Sequence, residues 1–297
     1  MKKFFLVLGI IVGIAVLGVG GYAYYLYDSA KDAVKEMHEE VKTDKPKPIV
    51  KGTDAKPISI LLLGVDERPG DRGRSDTIIV NVINPKKGSM LMFSIPRDTR
   101  TEIVGRGKED KINHSYAFGG TQMAMDTVEN FIGNPIDYYV KVNMESFRDI
   151  VDEVGGVEVN NPRAFDYEGF SFPAGSQELN GTEALAYSRM RYQDPKGDLG
   201  RNDRQRQIIT SIIDKGARVS SISKFDNILE ILSENVKTNM TFEEMKDIQK
   251  NYKNARNNIV STEFKSSGKM IDGIYYGMIS ETEKQRVHDL MNEYLQQ

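Results

Sequence analysis

The longest uninterrupted apolar stretch of the chain lies at its N-terminus. Phe4–Tyr27 contains no charged side chain and follows the short basic start Met1–Lys3. A helix over this stretch is long enough to cross the hydrocarbon layer of a bilayer, which is about 30 Å thick. Because the two lysines favour an N-terminus on the inner side, the pattern predicts a single-pass, type II anchor in the cell membrane. Residues 1–3 would then be cytoplasmic and the bulk of the chain extracytoplasmic.

A cleaved signal peptide is the alternative for this segment. The apolar run is longer than the roughly 7–15 residues that are usual for the apolar part of a signal peptide. Gly21-Tyr22-Ala23 is only a weak match to a cleavage site. We therefore expect an anchor that stays attached.

A polar region of 30 residues separates the anchor from the next apolar run. Residues 28–41 are polar and prone to form a helix, and residues 42–57 contain three prolines and five lysines. Such a composition is typical of a linker. The pattern predicts a stalk over residues 28–57 and a folded domain over residues 58–297.

Three apolar runs separated by polar turns predict the start of a β-sheet. Ile58–Val65 is almost continuously apolar, as is typical of a central strand that is buried on both faces. Thr77–Ile83 and Met90–Ile95 predict two further strands. Their short connections imply that consecutive strands are antiparallel neighbours.

Polar residues stand at the ends of these three strands. Asp66 follows the first strand, Asp76 precedes the second, and Arg97 follows the third. In an antiparallel arrangement all three lie at one end of the sheet, where ligands often bind in sheets flanked by helices. Alternatively, the two acids only pair with Arg74 or Arg97 and close the loops.

The remaining hydrophobic pattern alternates between helices and strands. Helical periodicity begins near Thr121, after Asn143, near Ser223 and after Thr241 and Ser280, while Ile136–Val142, Ile259–Phe264 and Ile274–Ile279 resemble strands. Thr241 and Glu244 fit a capping box. The predicted fold class is α/β: one domain with a mixed central β-sheet flanked by α-helices, preceded by a transmembrane helix.

Positive charge is concentrated in one segment, Leu185–Gln207. Arg189 and Arg191 face the same way if that part is extended, and Arg201 and Gln205 lie on one face of a helix, which Asn202 or Asp203 can cap. Arginine binds phosphate through two parallel hydrogen bonds and keeps its charge. A solvated basic loop before an amphipathic helix is the alternative interpretation. The segment also carries Lys196, Arg204 and Arg206.

Composition excludes several kinds of chemistry. The net charge is −3, so the basic segment is local, and nucleic-acid binding is not expected. The chain has no cysteine, which rules out disulfides, thiolate nucleophiles and thiolate metal sites. Its three histidines are scattered, and we interpret His114 as a hydrogen-bonded structural residue.

Two carboxylates and several arginines at one sheet edge favour phosphate chemistry with a divalent ion. Mg²⁺ prefers one or two protein carboxylates together with substrate phosphate oxygens. Arginines can then hold the remaining phosphate oxygens and the charge that develops during transfer. The sequence has no Walker loop, no G-x-S-x-G elbow and no H-E-x-x-H motif.

Four motifs make the chain resemble a known family. LLLGVDERPGDRGRSDTIIV, SIPRDTR, KINHSYAFGG and AYSRMRYQDPKGDLGRNDRQRQ occur in this order between Ile58 and Gly216, and together they are similar to the LytR-CpsA-Psr family. VENFIGNPIDYYVKVNMESFRDIVDEVGG resembles its branch associated with wall teichoic acid. The motif core is thus residues 58–216, followed by a helical and strand-containing part, residues 217–297.

The resemblance implies an enzyme that transfers a phosphate-linked glycopolymer from an undecaprenyl-pyrophosphate carrier to the C6 hydroxyl of N-acetylmuramic acid in peptidoglycan. It also implies an apolar tunnel for the polyprenyl tail, whose walls the sequence does not assign. The rival functions are hydrolysis of the lipid pyrophosphate and non-catalytic binding of an anionic wall polymer. The resemblance places Mg²⁺ on Asp66 and Asp76, the pyrophosphate on Arg74, Arg97, Arg189, Arg191, Arg201, Gln205 and Lys111, and catalysis on Asp66, Asp76, Arg97 and Arg189.

Overall fold

A six-stranded mixed sheet forms the centre of the protein, for which a computed structural model describes residues 24–43, 46–68, 70–143, 146–216 and 222–296. The spatial order of its strands is β11-β6-β1-β2-β3-β12. Strands β1, β2 and β3 are antiparallel neighbours, whereas β6 and β12 run parallel to β1 and β3. The strands are β1 (Ile58–Val65), β2 (Ser75–Asn84), β3 (Ser89–Ser94), β6 (Tyr138–Asn143), β11 (Val236–Thr238) and β12 (Ile259–Glu263).

Helices cover both faces of this sheet, and four two-stranded ribbons lie outside it. The helices are α1 (residues 24–37), α2 (His114–Ile132), α3 (Ser146–Glu153), α4 (Gly181–Arg189), α5 (Asp198–Gly216), α6 (Ile222–Asn235), α7 (Phe242–Tyr252) and α8 (Glu281–Leu295). The ribbons pair β4 (Arg100–Ile103) with β5 (Lys108–Lys111), β7 (Val157–Asn161) with β10 (Gly175–Leu179), β8 (Phe165–Tyr167) with β9 (Phe170–Phe172), and β13 (Ser267–Ile271) with β14 (Ile274–Met278).

Strand β1 is buried on both faces, as its continuous apolar sequence predicts. Leu61 and Leu63 point into the cluster that α2 and α8 cover, while Ile58 and Ile60 point into the cluster on the side of α5 and α7. Successive side chains of a strand alternate between faces, so a strand that is covered on both faces is mostly apolar. Ser59 is the polar side chain of β1, and its hydroxyl donates to Pro135 O and Asp137 Oδ2, both at 3.0 Å. The predicted mixed sheet flanked by helices is confirmed.

The predicted anchor, Phe4–Tyr27, lies outside the described residues except for residues 24–27, which belong to α1. Within the described ranges, no helix combines the length and the apolar character needed to span a membrane.

The segment predicted as a stalk, residues 28–57, differs from that prediction. Val34 and Met37 of α1 pack against Val236, and Val50 and Ala55 enter the cluster between the sheet and α7. These apolar side chains are few and far apart in the sequence, but long-range packing buries them. The folded part therefore begins well before Ile58.

Two helices begin earlier than the sequence predicts. The predicted helix near Thr121 starts at His114, and a break at Gly120, with φ of 66° and ψ of −154°, separates its two parts. Helix α5 starts at Asp198, and neither Asn202 nor Asp203 caps it. Gly197, with φ of 56°, turns the chain into this helix, and Asp198 places a carboxylate in its first turn, where the helix dipole favours negative charge.

Candidate active site

The ends of β1, β2 and β3 bring Asp66, Asp76 and Arg97 to one edge of the sheet. Arg97 Nη1 donates a hydrogen bond to Asp76 Oδ2 at 2.7 Å, and Asn113 Nδ2 donates to Asp76 Oδ1 at 3.0 Å. The Asp66 side chain is less enclosed, and its Oδ2 accepts from Arg68 Nη2 at 3.0 Å. The antiparallel connections thus produce the convergence that the sequence predicts.

A charged cavity of about 250 Å³ opens at this edge. Helices α4 and α5 supply its other wall, and its lining includes seven of the nine residues that the sequence predicts for the site. The lining residues are Asp66, Asp76, Thr77, Arg97, Tyr167, Ser188, Arg189, Arg191, Tyr192, Arg201 and Gln205.

Arg74 and Lys111 do not line this charged cavity. The Arg74 side chain is exposed, and its carbonyl oxygen accepts a hydrogen bond from the Asp66 amide at 3.3 Å. Lys111 Nζ lies 3.0 Å from Asp98 Oδ1, and Asp98 Oδ2 lies 4.0 Å from Arg97 Nε. Lys111 therefore reaches the site only through Asp98 and Arg97.

The two arginines before α5 are positioned by the end of α4. A capping box, in which Asn180 and Glu183 bond reciprocally, begins this helix, and Arg189 is its last residue. Met190, with φ of −57° and ψ of 133°, is no longer helical and is buried, so the chain leaves the helix with Arg191 beside the same cavity. Arg201 and Gln205 come from one face of α5, as their spacing predicts.

The Arg201 guanidinium is buried without enough negative charge around it. Arg201 is 6% exposed, and its Nη2 donates a hydrogen bond to Asp198 Oδ2 at 3.1 Å. Burial lowers the pKa of Arg201; the Asp198 carboxylate opposes this shift, whereas the charges of Arg97 and Arg191 add to it. Within the described residues, Arg201 Nε and Gln205 Oε1 are buried and have no hydrogen-bond partner. Unsatisfied buried polar groups of this kind are costly, so a ligand that pairs with them gains free energy.

The charge of the cavity lining is positive. Four guanidinium groups face two carboxylates, which leaves an excess of two positive charges before Asp198 is counted. A ligand with a compact negative charge, such as a phosphate or a diphosphate, would neutralise this excess. Asp76 does pair with Arg97, as the alternative in which the acids only close loops expects, but this pair leaves the excess positive charge of the lining without a counterion.

Arg204 and Arg206, also on α5, do not line the charged cavity, and their side chains bond to other parts of the fold. Arg204 donates through Nε to Tyr187 O at 3.0 Å, through Nη1 to Asp194 Oδ2 at 2.5 Å, and through Nη2 to Met190 O. Arg206 donates to Ser94 Oγ at 2.8 Å and pairs with Asp203 and with Glu263. Only part of the arginine-rich segment therefore faces the charged cavity.

An apolar cavity of about 420 Å³ adjoins the charged one. Thr77, Ser188 and Gln205 line both cavities, so they mark the junction between them. Apolar side chains from the sheet and from α1, α3, α5 and α6 form its walls, among them Met37, Leu62, Val140, Ile150, Ile209, Ile213 and Leu232. The apolar stripe that the sequence shows on α5 thus faces a cavity as well as the core.

The donor set of the charged cavity fits a hard divalent cation. Among the described residues, no group of three or more histidine, cysteine, aspartate or glutamate side chains could enclose a metal ion. Asp66 and Asp76 are the carboxylates in the lining. Mg²⁺ is commonly held by one or two carboxylates and completed by substrate phosphate and water, so two acids beside an anion site suit it.

Sequence reasoning missed Thr77, Ser188, Tyr167 and Tyr192 in the lining. Ser188 and Tyr192 lie within the arginine-rich segment Leu185–Gln207, so their position in the sequence already indicated that they lie near the site. Tyr167 comes from the β8–β9 ribbon, which was not predicted. His114 is hydrogen-bonded as predicted, since its Nδ1 lies 2.9 Å from Asp110 Oδ2, and it does not line the cavity.

The sequence model of the LytR_cpsA_psr family matches residues 24–293. The chain belongs to this family. A relative from Bacillus subtilis (strain 168) is 54% identical to this chain over 282 residues, and the match covers 95% of this chain and 92% of the relative. A relative from Bacillus anthracis is 48% identical, covering 100% and 99%. Both relatives are called polyisoprenyl-teichoic acid–peptidoglycan teichoic acid transferase TagU.

Solved structures of family members share this fold. The crystal structure of B. subtilis TagU has a TM-score of 0.67 and 51% identity, covering 82% of this chain and 98% of that one. A structure of TagT bound to LIIa-WTA has a TM-score of 0.70 and 26% identity, covering 86% and 99%. The family resemblance read from the four motifs is therefore confirmed.

Proposed function

We propose that this protein transfers a phosphate-linked glycopolymer, wall teichoic acid, from an undecaprenyl-pyrophosphate carrier to the C6 hydroxyl of N-acetylmuramic acid in peptidoglycan. One observation carries the proposal. A cavity lined by four arginines and two aspartates joins an apolar cavity at Thr77, Ser188 and Gln205. A polyprenyl pyrophosphate has the matching form, a diphosphate attached to a long hydrocarbon. A relative that is named as a teichoic acid transferase and is 54% identical in sequence supports the choice of polymer.

The arginines bind the diphosphate. Arg201 lies deepest, and its unpartnered Nε, together with the neighbouring Arg97, points to a phosphate oxygen as the missing partner. Arg189 and Arg191 close the outer side of the charged cavity. These positive groups are in place before the reaction, so they stabilise the charge that develops on the phosphoryl oxygens without further reorganisation.

The reaction exchanges a phosphoanhydride bond for a phosphodiester bond. The acceptor hydroxyl oxygen forms a bond to the polymer-linked phosphorus, and the bond from that phosphorus to the bridging oxygen breaks. The bridging oxygen leaves with the lipid phosphate, and the hydroxyl proton passes to a base. Asp66 is the better candidate for this base, because Arg97 and Asn113 already occupy both carboxylate oxygens of Asp76, whereas Asp66 is bonded to the more exposed Arg68. A carboxylate that also binds a metal ion is a weak base.

Asp66 and Asp76 would hold Mg²⁺. When bound, Mg²⁺ supplies charge neutralisation between the carboxylates and the diphosphate. The apolar segment Phe4–Tyr27 would anchor the chain in the cell membrane with the domain outside, where carrier lipid and peptidoglycan both occur.

The test uses the purified full-length chain in detergent with Mg²⁺, a polyprenyl-pyrophosphate-linked glycopolymer and peptidoglycan glycan. We expect polymer covalently joined to glycan and an equal amount of released lipid phosphate, both lost on chelation of the metal. A hydrolase would release free polymer phosphate at the same rate with and without glycan. A binding protein would retain the polymer in a salt-sensitive way and release no lipid phosphate.

A further inference from the structure

Tyr192 stands out among the exposed side chains of the described region. It is 85% exposed, the highest value among the large hydrophobic residues that are exposed there, and it alone of these lines the charged cavity. Single exposed aromatic residues elsewhere on a surface need no explanation. An exposed aromatic ring at the mouth of a substrate cavity does, because its apolar face is kept in water beside a site built for a ligand.

The Tyr192 ring is held in position by the site itself. The Arg191 guanidinium carbon lies 4.5 Å from the ring centroid, and Arg191 Nη2 donates a hydrogen bond to the Tyr192 hydroxyl at 2.7 Å. One side of the ring is therefore in contact with an arginine of the cavity. The high exposure shows that the remainder of the ring is open to solvent.

A second tyrosine, Tyr167, lines the same cavity from a different element. It ends strand β8, at the turn formed by Glu168 and Gly169, whose φ values are 49° and 84°. A non-glycine residue with positive φ is uncommon and often marks a functional turn. The β8–β9 ribbon is anchored below this turn, because Phe165 and Phe172 pack on Tyr187 at centroid distances of 5.6 and 5.4 Å.

The two tyrosine-bearing segments are tied together. Gln193 Nε2 donates a hydrogen bond to the carbonyl oxygen of Asp166 at 2.9 Å, which joins the residue after Tyr192 to the residue before Tyr167. Two aromatic side chains from separate parts of the sequence are thus fixed at the rim of one charged cavity. The faces of a pyranose ring carry C–H groups, which pack well on the electron-rich face of an aromatic ring, and its hydroxyls match phenolic oxygens.

We propose that Tyr167 and Tyr192 form a sugar-binding subsite that holds a pyranose ring next to the phosphate bound by the arginines. The subsite rests on the proposed function, since it needs a diphosphate in the adjoining cavity. The pyranose has two sources, the phosphate-linked sugar of the donor or the muramic acid residue of the acceptor. Because Tyr167 and Tyr192 line the same cavity as the arginines, a sugar joined to the bound phosphate lies next to the two rings.

The experiment compares Tyr192→Ala and Tyr167→Ala with the unmodified full-length chain in detergent. We expect the KM for one sugar-bearing substrate to rise about five- to tenfold in each variant, as the loss of an aromatic contact predicts. Tyr192→Phe keeps the ring and loses only the hydroxyl, so the same KM should rise less than in Tyr192→Ala. An increase for the donor assigns the subsite to the donor sugar, and an increase for the glycan assigns it to the acceptor.

A binding measurement separates this proposal from the proposed function. Calorimetry gives the Kd of a polyprenyl pyrophosphate without sugar and of the same lipid carrying its first sugar. If Tyr192 acts only by positioning Arg191, Tyr192→Ala weakens both ligands equally, and the subsite is refuted. The same holds if neither KM nor Kd changes. Tyr275→Ala, which removes an exposed tyrosine outside the cavity, is the matched control and should change nothing. Failure of transfer by the unmodified chain would instead count against the proposed function.

Discussion

Arg201 and Arg204 lie one turn apart on α5, are almost equally buried, and yet differ in their partners. The two residues are 6% and 3% exposed. All three nitrogens of the Arg204 guanidinium donate hydrogen bonds, to Asp194 and to two carbonyl oxygens. Arg201 pairs with Asp198 and leaves Nε without a partner in the described residues. The two arginines therefore differ not in burial but in the number of guanidinium nitrogens that have a hydrogen-bond partner.

The comparison also explains how one segment serves two purposes. Arg204 connects α5 to the end of α4, through Tyr187 O and Met190 O, and so fixes the turn that carries Arg189 and Arg191. Arg204, whose three guanidinium nitrogens all donate hydrogen bonds, holds α4 and α5 together. The arginines that line the charged cavity present their charge to it.

Arg204→Ala should lower the free energy of unfolding by about 3–5 kcal/mol, because it leaves Asp194 and two carbonyl oxygens buried without their donor. Arg201→Ala should lower it less, by about 1–2 kcal/mol, since it removes the hydrogen bond to Asp198 but also a buried guanidinium whose Nε has no partner in the described residues. Urea unfolding followed by far-ultraviolet circular dichroism measures both. Equal losses in the two variants would remove the distinction between the two arginines.

Arg97→Ala and Arg201→Ala should each reduce the turnover number of transfer on the order of 10²–10³-fold, the usual effect of removing one group that stabilises transition-state charge. Lys196→Ala is the control, because it removes a positive charge from the same segment but outside the charged cavity. Its rate should stay within about twofold. A comparable loss in the control would mean that general attraction, and not the cavity, drives the rate.

Gly200→Ala should destabilise the protein by about 1–3 kcal/mol, as overpacking usually does. A Cβ at this position would lie 1.9 Å from Asp194 Oδ2, so the carboxylate must move away from Arg204. Gly216→Ala, at the other end of α5, meets no atom within 4 Å and is the matched control. We expect its thermal midpoint to be unchanged or raised. A harmless Gly200→Ala would show that the Asp194–Arg204 contact is dispensable.

Lys111→Ala should have the smallest effect, a reduction of transfer by less than about tenfold, because Lys111 acts on Arg97 only through Asp98. The initial rates of Lys111→Ala and Arg97→Ala, measured side by side, test this order. If Lys111→Ala is as inactive as Arg97→Ala, the lysine contacts the substrate directly, as the family resemblance implies.

Much of the sheet could be predicted because its signal is local. The observed bounds of β1 are those that the apolar run Ile58–Val65 predicts, since a strand covered on both faces is mostly apolar. The convergence of Asp66, Asp76 and Arg97 followed from the short antiparallel connections. Capping residues were equally local, and Thr241 caps α7 as expected.

Features that depend on long-range contacts could not be predicted. Composition and charge do not distinguish Arg201 from Arg204, and only the family resemblance singles out Arg201. The carbonyl groups that accept hydrogen bonds from Arg204 are presented only when α4 ends beside α5. The apolar stripe of α5 is also ambiguous, since Ile209 and Ile213 would look the same in a filled core and in the wall of a cavity. The charged cavity excludes Arg74 and Lys111 for the same reason: motif membership does not specify where a side chain points.

Met37 shows why the segment before the first strand matters. It belongs to α1, which includes residues 24–27 of the proposed anchor, and it lines the same apolar cavity as Leu232 and Val236. A shortened protein that starts at Ile58 would lack α1, so the apolar cavity would be open on the side that Met37 covers. A bound hydrocarbon would then leave the cavity more readily. Carrier affinities measured on such a fragment would then understate those of the intact chain, even with every charged group in place.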